Sequence, residues 1–200
     1  MKKLGILVSG RGSNMMAIEH ACKHGELSAN IELVISNNKN SLALALAQEK
    51  NIKTACIDSS IYPDSDASDK AMVEALDEHD IDFVLLAGFM KKVGPRVLSR
   101  YKHKVINIHP SLLPKFGGKG MFGINIHTAV LAAGEIESGV TIHLVNEEYD
   151  EGAVLTQQTV SIALDETPES LAAKVLKVEH VLFSKTIQKI IDGIILLPSD

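Results

Sequence analysis

Short apolar runs alternate with helical patterns along the first half of the chain. The apolar runs cover 4–8, 31–36, 53–57 and 81–86, and the helical patterns between them cover 15–23, 41–50 and 65–79. Strands that alternate with helices are typical of α/β proteins, in which right-handed crossovers place the strands parallel in one sheet. The near-continuous apolar run at 81–86 fits a strand buried on both faces. The sequence therefore predicts a Rossmann-like, mostly parallel sheet flanked by helices.

The second half departs from this alternation. A short helical pattern at 95–101 leads to a strand at 105–109, a second at 128–133 follows, and strands at 139–145 and 153–161 enclose an acidic turn. Two strands joined by a turn predict an antiparallel hairpin. Thr167-Pro168-Glu169 has the cap-then-proline start of a helix, and one apolar face continues to about Ile191. We expect one domain over 1–200, with a C-terminal antiparallel hairpin and a long final helix.

The strand that ends at Pro110 carries two polar side chains that point the same way. Side chains two apart share a face of a strand, so Asn107 and His109 lie together while Ile106 and Ile108 fill the other face. Open α/β sheets bind ligands beyond the carboxyl ends of their strands. There an amide can donate to a developing oxyanion, and an imidazole can donate a hydrogen bond or a proton. The alternative is a pair of satisfied polar groups that close a loop.

A glycine loop follows the first strand and precedes a helical pattern. This arrangement presents backbone N–H groups and the helix dipole to a phosphate. Position 15 is Met, so the dinucleotide fingerprint is not completed, and no Gly-Lys-Ser/Thr follows, which excludes a nucleoside-triphosphate loop. A plain strand-to-helix turn is the alternative to a site for one phosphomonoester. The candidate phosphate-binding residues are Gly10, Arg11, Gly12, Ser13 and Asn14.

Charge and cysteine content exclude several classes of protein. The 200 residues carry a formal net charge of -5 without a basic block, so a nucleic-acid or anionic-membrane surface is not expected. Cys22 and Cys56 are too few and too separated for a disulfide framework or a CxxC metal site. No apolar run approaches the roughly 20 residues that span a membrane, and the first run is too short for a signal peptide. We expect a cytoplasmic protein with no metal, nucleic-acid partner or membrane contact.

The segment Asn107-Ile108-His109-Pro110-Ser111-Leu112-Leu113-Pro114 resembles the signature of the folate-dependent formyltransferases. Enzymes of that family transfer or release the formyl group of 10-formyltetrahydrofolate. Their second motif, a strand ending in Val-His-x-Val and then an Asp closely followed by Gly, resembles 142–145 and 150–152 here. The family's Asn–His–Asp triad then corresponds to Asn107, His109 and Asp150. Without the resemblance, the better interpretation of Asp150 is one of several acids in a solvated turn.

The resemblance implies a role for each member of this triad. Attack of an amine on the formyl carbon gives a tetrahedral intermediate with an oxyanion, which the amide of Asn107 and a protonated His109 would stabilise. We expect Asp150 to raise the pKa of His109 by its charge, and to take the proton of the amine directly or through a water.

The resemblance also implies binding residues outside the triad. The pterin loop of the family follows a Leu-Ala-Gly-Phe-Met segment, found here at 86–90, but the next residues depart from the common Arg–aliphatic–aliphatic order, so backbone contacts are the transferable part. The expected folate contacts are Phe89, Met90, Lys91, Lys92, Val93, Asn146, Glu147 and Asp150. Glu179 matches a family carboxylate that binds ribose hydroxyls, and Lys70 stands where the family often has an arginine near the phosphate. His127 and His143 are expected near the site, where the spacing with His109 is not the compact spacing of a zinc site.

The segment 115–123, with four glycines in nine residues, looks longer than its family counterpart. A loop of this composition is mobile or closes over something.

Three branches of the family differ at their ends. The tRNA branch carries an extra C-terminal domain and the hydrolase branch an extra N-terminal one, whereas this chain starts at the first strand and ends with its first domain. The branch that acts on glycinamide ribonucleotide has a Ser-Gly-x-Gly-Ser-Asn loop after its first strand, as at 9–14. We therefore expect formyl transfer from 10-formyltetrahydrofolate to glycinamide ribonucleotide in de novo purine synthesis, by a monomer or homodimer. A formyltetrahydrofolate hydrolase or a non-catalytic nucleotide-binding domain is the alternative.

Overall fold

The computed structural model describes residues 1–199 and builds them around one seven-stranded sheet. The strands are β1 (Lys2–Val8), β2 (Ala29–Ser36), β3 (Lys53–Cys56), β4 (Phe83–Leu86), β5 (Val105–His109), β6 (Glu137–Leu144) and β7 (Val154–Ser161). The helices are α1 (Ser13–Lys23), α2 (Leu42–Glu49), α3 (Ser65–Glu78), α4 (Pro95–Arg100), α5 (Ile124–Ala132) and α6 (Pro168–Ile191).

The sheet order confirms the predicted fold class. The strands lie in the order β3-β2-β1-β4-β5-β6-β7. Pairing is parallel from β3 to β5, and antiparallel between β5 and β6 and between β6 and β7. The chain order reverses between β1 and β4, and such a switch point is where open α/β sheets bind their ligands.

Two apolar clusters cover the two faces of the sheet. The larger cluster joins Ile106 and Ile108 of β5 to α1, α2, α5 and α6. The smaller one joins Val105 to α3 and α4. Along α6 the buried residues recur on one side, as predicted, and include Leu171, Val175, Leu182 and Ile187. Because these clusters take up Val105, Ile106 and Ile108, the side chains of β5 that remain for a polar site are Asn107 and His109.

Most predicted boundaries lie within two residues of the observed ones, and α5 is the exception. It begins at Ile124 rather than near 128, because Gly123 turns the chain with a φ of 56° and Ile126 is already buried in the first turn. Among residues 1–199, none of the helices is long and apolar enough to cross a membrane.

Candidate active site

The polar side chains of β5 lie beside those of β6 on the same face of the sheet. In the antiparallel register Asn107 lies opposite His143, and His109 lies opposite Thr141. Directly opposed residues in such a pair have their Cβ atoms only about 4.5–5.5 Å apart. His109, Thr141 and His143 are buried, and Asn107 is half-buried. The predicted common direction of Asn107 and His109 is confirmed, and β6 adds two further polar side chains beside them.

His143 fixes the orientation of the Asn107 amide. Nδ1 of His143 lies 2.8 Å from the carbonyl oxygen of Leu144, which can only accept, so Nδ1 carries the proton. In the neutral ring Nε2 is then an acceptor, and Nδ2 of Asn107 donates to it across 3.0 Å. The amide nitrogen of Asn107, rather than its oxygen, is therefore held on the His143 side.

Asp150 reaches this pair from the turn between β6 and β7. Its backbone adopts the left-handed region with a φ of 58°, which Asp tolerates better than most residues. Its Oδ1 lies 3.5 Å from Nδ2 of Asn107, 3.5 Å from Nδ1 of His109 and 3.7 Å from Nε2 of His143. The structure thus brings the three predicted triad residues together around one carboxylate oxygen.

The Asp150 carboxylate is held in its ionised form. Burial acts to raise its pKa, but its polar surroundings, with His143, His109 and the N–H of Gly118 next to the carboxylate, lower it below the ordinary value. The Gly118 N–H donates to Oδ2 at 2.8 Å. Asp150 is therefore a carboxylate over the whole neutral range, ready to accept a proton.

His109 differs from the prediction in its protonation. Burial lowers its pKa, and this effect outweighs the opposing charge of Asp150 and the contact with Phe116. The expectation of a protonated His109 was wrong for the ligand-free protein. Burial of the imidazole lowers its pKa by more than the charge of Asp150 raises it. Nε2 donates to the Phe116 carbonyl at 2.9 Å, so the bare Nδ1 faces Asp150 at 3.5 Å, too long for an ordinary hydrogen bond.

A strap, residues 110–118, crosses over this polar face. Thr141 Oγ1 donates to the carbonyl of Ser111 at 2.6 Å and accepts from the N–H of Leu113 at 3.0 Å. Gln157 Nε2 donates to the Leu113 carbonyl at 2.8 Å and to Thr141 Oγ1 at 2.9 Å. These bonds anchor the first part of the strap to β6 and β7, ahead of the carbonyl and N–H groups that its second part offers to the triad.

The predicted phosphate loop turns directly into α1. Gly12 precedes the helix with a φ of 78°, and no side chain caps the first turn. A Cβ at Gly12 would lie 2.6 Å from the Cβ of Ala43, so the loop needs glycine there for space as well as for conformation. The N–H groups of the first turn are left for a ligand or solvent, which is the arrangement that binds anions at helix N-termini.

Asn14 and Glu179 meet at this end of the site. Nδ2 of Asn14 donates to Oε2 of Glu179 at 2.6 Å, and both side chains are buried. Burial raises the pKa of Glu179, against the opposing hydrogen bond from Asn14. The Oδ1 of Asn14 is buried without a hydrogen-bond partner in residues 1–199. An unpaired buried acceptor is costly, so this atom marks a place where a ligand donor would be stabilised.

The two segments predicted to contact folate meet through Lys92. Its Nζ lies 3.8 Å from Oε2 of Glu148 and 5.7 Å from the centre of the Tyr149 ring. Of the predicted folate contacts, the exposed ones are Met90, Lys91, Lys92, Asn146 and Glu147. Phe89 is half-buried, and Val93 is buried in the smaller apolar cluster. A cavity of about 360 Å³ lies nearby between the strap and the 149–152 turn, and of the predicted folate contacts only Asp150 lines it.

Lys70, predicted to lie near the phosphate, makes an ion pair with a residue of its own helix. It lies on α3, which packs on the opposite face of the sheet from α1. Its ammonium pairs with Glu74 one turn along the helix at 3.7 Å. The contacts of residues 1–199 therefore join Lys70 to its own helix, and its role at the phosphate stays a prediction.

The sequence profile of the family described as formyl transferase matches residues 2–187. The chain belongs to the formyl transferase family. The resemblance read from the two motifs is thereby confirmed, and it covers nearly the whole chain.

Individual relatives of the chain carry more specific names. The chain is 40% identical over 187 residues to the chloroplastic phosphoribosylglycinamide formyltransferase of Arabidopsis thaliana, covering 93% of this chain and 64% of that protein. It is 34% identical over 193 residues to the phosphoribosylglycinamide formyltransferase of Haemophilus influenzae, covering 96% and 89%. The crystal structure of the enzyme of that name from Bacillus halodurans matches with a TM-score of 0.89 at 35% identity, covering 96% of this chain and 97% of that one. The chain thus spans 64% of the Arabidopsis protein and 60% of a second plant relative, from Vigna unguiculata.

Sequence reasoning missed several contributors to this candidate site. The carbonyl of Phe116 and the N–H of Gly118 touch His109 and Asp150, but backbone groups have no residue type by which a motif could reveal them. His143 was expected near the site without a role, and the structure makes it the partner of Asn107. His127 is buried, its Nδ1 has no hydrogen-bond partner among residues 1–199, and burial lowers its pKa, with the nearby ring of His109 acting in the same direction. Within residues 1–199 no group of three or more His, Cys, Asp or Glu is arranged to hold a metal ion.

Proposed function

We propose that this protein transfers the formyl group of 10-formyltetrahydrofolate to the amino group of glycinamide ribonucleotide. The products are N-formylglycinamide ribonucleotide and tetrahydrofolate, in de novo purine synthesis. The observation that carries the proposal is the single carboxylate oxygen of Asp150, which lies 3.5 Å from both Asn107 Nδ2 and His109 Nδ1. A proton acceptor, Asp150, and an amide donor for an oxyanion, Asn107, thus lie side by side, with the ring of His109 next to them.

The reaction begins when the substrate amine attacks the formyl carbon and forms a tetrahedral intermediate. The carbonyl oxygen becomes an oxyanion, and the amide N–H of Asn107 that is not bound to His143 donates to it. The amine nitrogen loses its proton to the ionised Asp150, directly or through a water. The oxyanion then re-forms the carbonyl, the C–N bond to folate breaks, and the folate nitrogen leaves with the proton that Asp150 received.

His109 takes part in this reaction when its Nε2 proton changes its hydrogen-bond partner. In the ligand-free protein its Nε2 proton is bound by the carbonyl of Phe116. The same proton can stabilise the oxyanion once the substrate oxygen replaces that carbonyl. A neutral donor serves this role because the stabilisation needs an N–H aimed at the oxygen and not a net charge. Asp150 nearby favours any positive charge that develops on the ring during the step.

The acceptor substrate fits the other end of the site. The phosphate of glycinamide ribonucleotide would bind at Gly10–Asn14, where the first turn of α1 is uncapped. The ribose hydroxyls would donate to Glu179 and to the unpaired Oδ1 of Asn14. Arg11 is exposed beside this loop and would add a positive charge. Lys70 would contribute only from a different side-chain position, because it pairs with Glu74.

The donor would bind between the segments 89–93 and 146–150, next to Asp150. Lys91 and Lys92 carry charges opposite to the carboxylates of a folate. We also propose that residues 1–200 act as one domain, which the continuous seven-stranded sheet supports. A cytoplasmic location belongs to the same proposal, although the plant relatives are named chloroplastic.

The test follows consumption of 10-formyltetrahydrofolate with and without glycinamide ribonucleotide. Formation of the formylated ribonucleotide that depends on the acceptor is the expected result. Formate release that ignores the acceptor would instead support a formyltetrahydrofolate hydrolase. No consumption in either case would leave a nucleotide-binding domain as the better explanation.

A further inference from the structure

The hydroxyl of Ser9 connects three loops at the carboxyl edge of the sheet. Ser9 directly follows β1, and its Oγ donates to Oδ1 of Asn37, which follows β2, at 2.6 Å. The same Oγ accepts the backbone N–H of Met90, which lies beyond β4, at 2.8 Å. The first side chain of the Ser-Gly-x-Gly-Ser-Asn loop is thus hydrogen-bonded to the loop predicted to receive folate.

Backbone bonds make this connection stiff. The ladder between β1 and β4 continues past the strand ends, because the N–H of Ser9 donates to the carbonyl of Gly88 at 3.1 Å. Asn38 adds a bond from its Nδ2 to the carbonyl of Ser9 at 3.3 Å. The Ser9 backbone is therefore fixed on both sides, and its hydroxyl cannot follow one loop without affecting the other.

The position of Ser9 makes it part of both proposed binding regions. Gly10, the next residue, opens the segment proposed to hold the phosphate. Met90 lies at the start of the segment proposed to hold the folate. Each ligand would lower the mobility of its own loop, and a second ligand that meets an already ordered loop pays less conformational entropy. A shared hydrogen-bonded residue is the physical element through which such an effect passes.

We propose that Ser9 is a positioning residue that couples the binding of the two substrates. Through its bonds to Met90 and Asn37, occupancy of the phosphate loop orders the folate loop, and the reverse holds equally because such coupling is reciprocal. The inference rests on the proposed function for the identity of the two ligands. It assigns to Ser9 a role in the affinity of both substrates and none in the chemical step.

The test measures the affinity of tetrahydrofolate by calorimetry, with and without saturating glycinamide ribonucleotide. Tetrahydrofolate has no formyl group, so no turnover interferes. In the unaltered protein the ribonucleotide should tighten tetrahydrofolate binding by about 5-fold or more, which is the lower end of typical coupling. In Ser9→Ala this ratio should fall below about 2-fold. In steady-state assays, KM for both substrates should rise while kcat stays nearly constant.

Ser41→Ala is the matched control. Ser41 Oγ donates to the carbonyl of Gly10 at 2.9 Å, so its loss loosens the phosphate loop without touching Met90. This variant should weaken binding of the ribonucleotide but keep the coupling ratio. Asn37→Ala removes the acceptor of the Ser9 hydroxyl and gives a second route to the same loss. The double variant of Ser9 and Asn37 should lose no more coupling than Ser9→Ala alone.

Each outcome separates the inference from the function on which it rests. An unchanged coupling ratio in Ser9→Ala and Asn37→Ala, or no coupling in the unaltered protein, overturns the role of Ser9 and leaves the formyl transfer intact. Failure of the unaltered protein to bind either ligand overturns both. If Ser9→Ala does not fold by circular dichroism, Asn37→Ala decides the question.

Discussion

Asn107 and His143 face each other across the antiparallel pairing of β5 and β6, and the amide nitrogen of Asn107 donates to Nε2 of His143 over 3.0 Å. The ring of His143 is itself fixed by its bond to the Leu144 carbonyl. An amide has two ends that differ only in donor and acceptor character, so an outside group must decide which end faces the substrate. In this protein the deciding group is a histidine that need not touch the substrate at all.

Replacing His143 with Leu should lower kcat by about 10-fold, because the Asn107 amide would then rotate between two orientations. Asn107→Ala should cost more, about 10²–10³ in kcat, the usual loss for an oxyanion donor. Steady-state kinetics of the single and double variants provide the measurement. If the double variant is much slower than Asn107→Ala, His143 acts independently of Asn107.

Asp150→Asn should retain the fold and lower kcat by about 10²–10⁴, the range for general acid–base groups. Asn also tolerates the left-handed backbone found at this position, where φ is 58°. Glu151→Gln removes the neighbouring acid of the same turn and should change kcat by less than about 3-fold, since surface substitutions away from partners are mild. Near-normal turnover in Asp150→Asn, with an unchanged circular dichroism spectrum, would sink the proposed mechanism.

Glu179→Ala should raise KM for glycinamide ribonucleotide by about 10-fold or more while leaving KM for the folate within about 2-fold. The variant removes a proposed acceptor for ribose hydroxyls and leaves the buried Asn14 amide unpaired, each worth about 1–3 kcal/mol. Glu169→Ala, on the exposed first turn of the same helix, is the control. Equal increases in both KM values would show that the pair supports the fold and not one substrate.

Stability should fall as pH drops below about 6.5, the ordinary pKa of histidine. His109 and His127 have lowered pKa values in the folded protein because of burial, so the unfolded chain binds protons first. Their contribution is complete above the unfolded value and is lost toward the folded ones, at up to about 1.4 kcal/mol per pH unit for each ring. The lowered pKa of Asp150 stabilises the fold over a different pH range, since this stabilisation is lost only as the pH falls below the ordinary pKa of a carboxyl group.

Urea denaturation between pH 5 and pH 8, at intervals of about 0.5 unit, measures this slope. His127→Leu should reduce it, because one proton-binding difference is removed. His24, which is exposed, provides a matched histidine substitution. A slope that is the same in His127→Leu and in the unaltered protein would assign the pH dependence to other groups.

The sequence predicted which side chains belong to the site better than it predicted how they pair with one another. The alternation of β5 was enough to place Asn107 and His109 on one face, because strand geometry depends only on spacing. The partnership of Asn107 with His143 depends on the register of two strands 36 residues apart in the chain, which no local pattern determines. Asp150 was found through the family motif, since a turn with several acids gives no reason to select one of them.

The protonation of His109 shows a second limit. The sequence identifies an acid that can raise its pKa, but burial is a property of the assembled fold and it has the larger effect here. Lys70 shows the same limit for position, because the face of the sheet on which its helix packs depends on the assembled fold, and its role at the phosphate stays a prediction. Both features depend on packing between distant segments, and residue type alone does not encode it.

Phe116 and Gly118 of the strap hydrogen-bond to the triad, and α5 starts at Ile124. Lys119 and Gly120, between these two fixed points, are exposed. Lengthening a flexible loop costs only about 0.6 kcal/mol for each doubling of its length. The connection after Gly118 is therefore a suitable insertion point, where the folded protein can carry an epitope or a reporter peptide without displacing an atom of the candidate site.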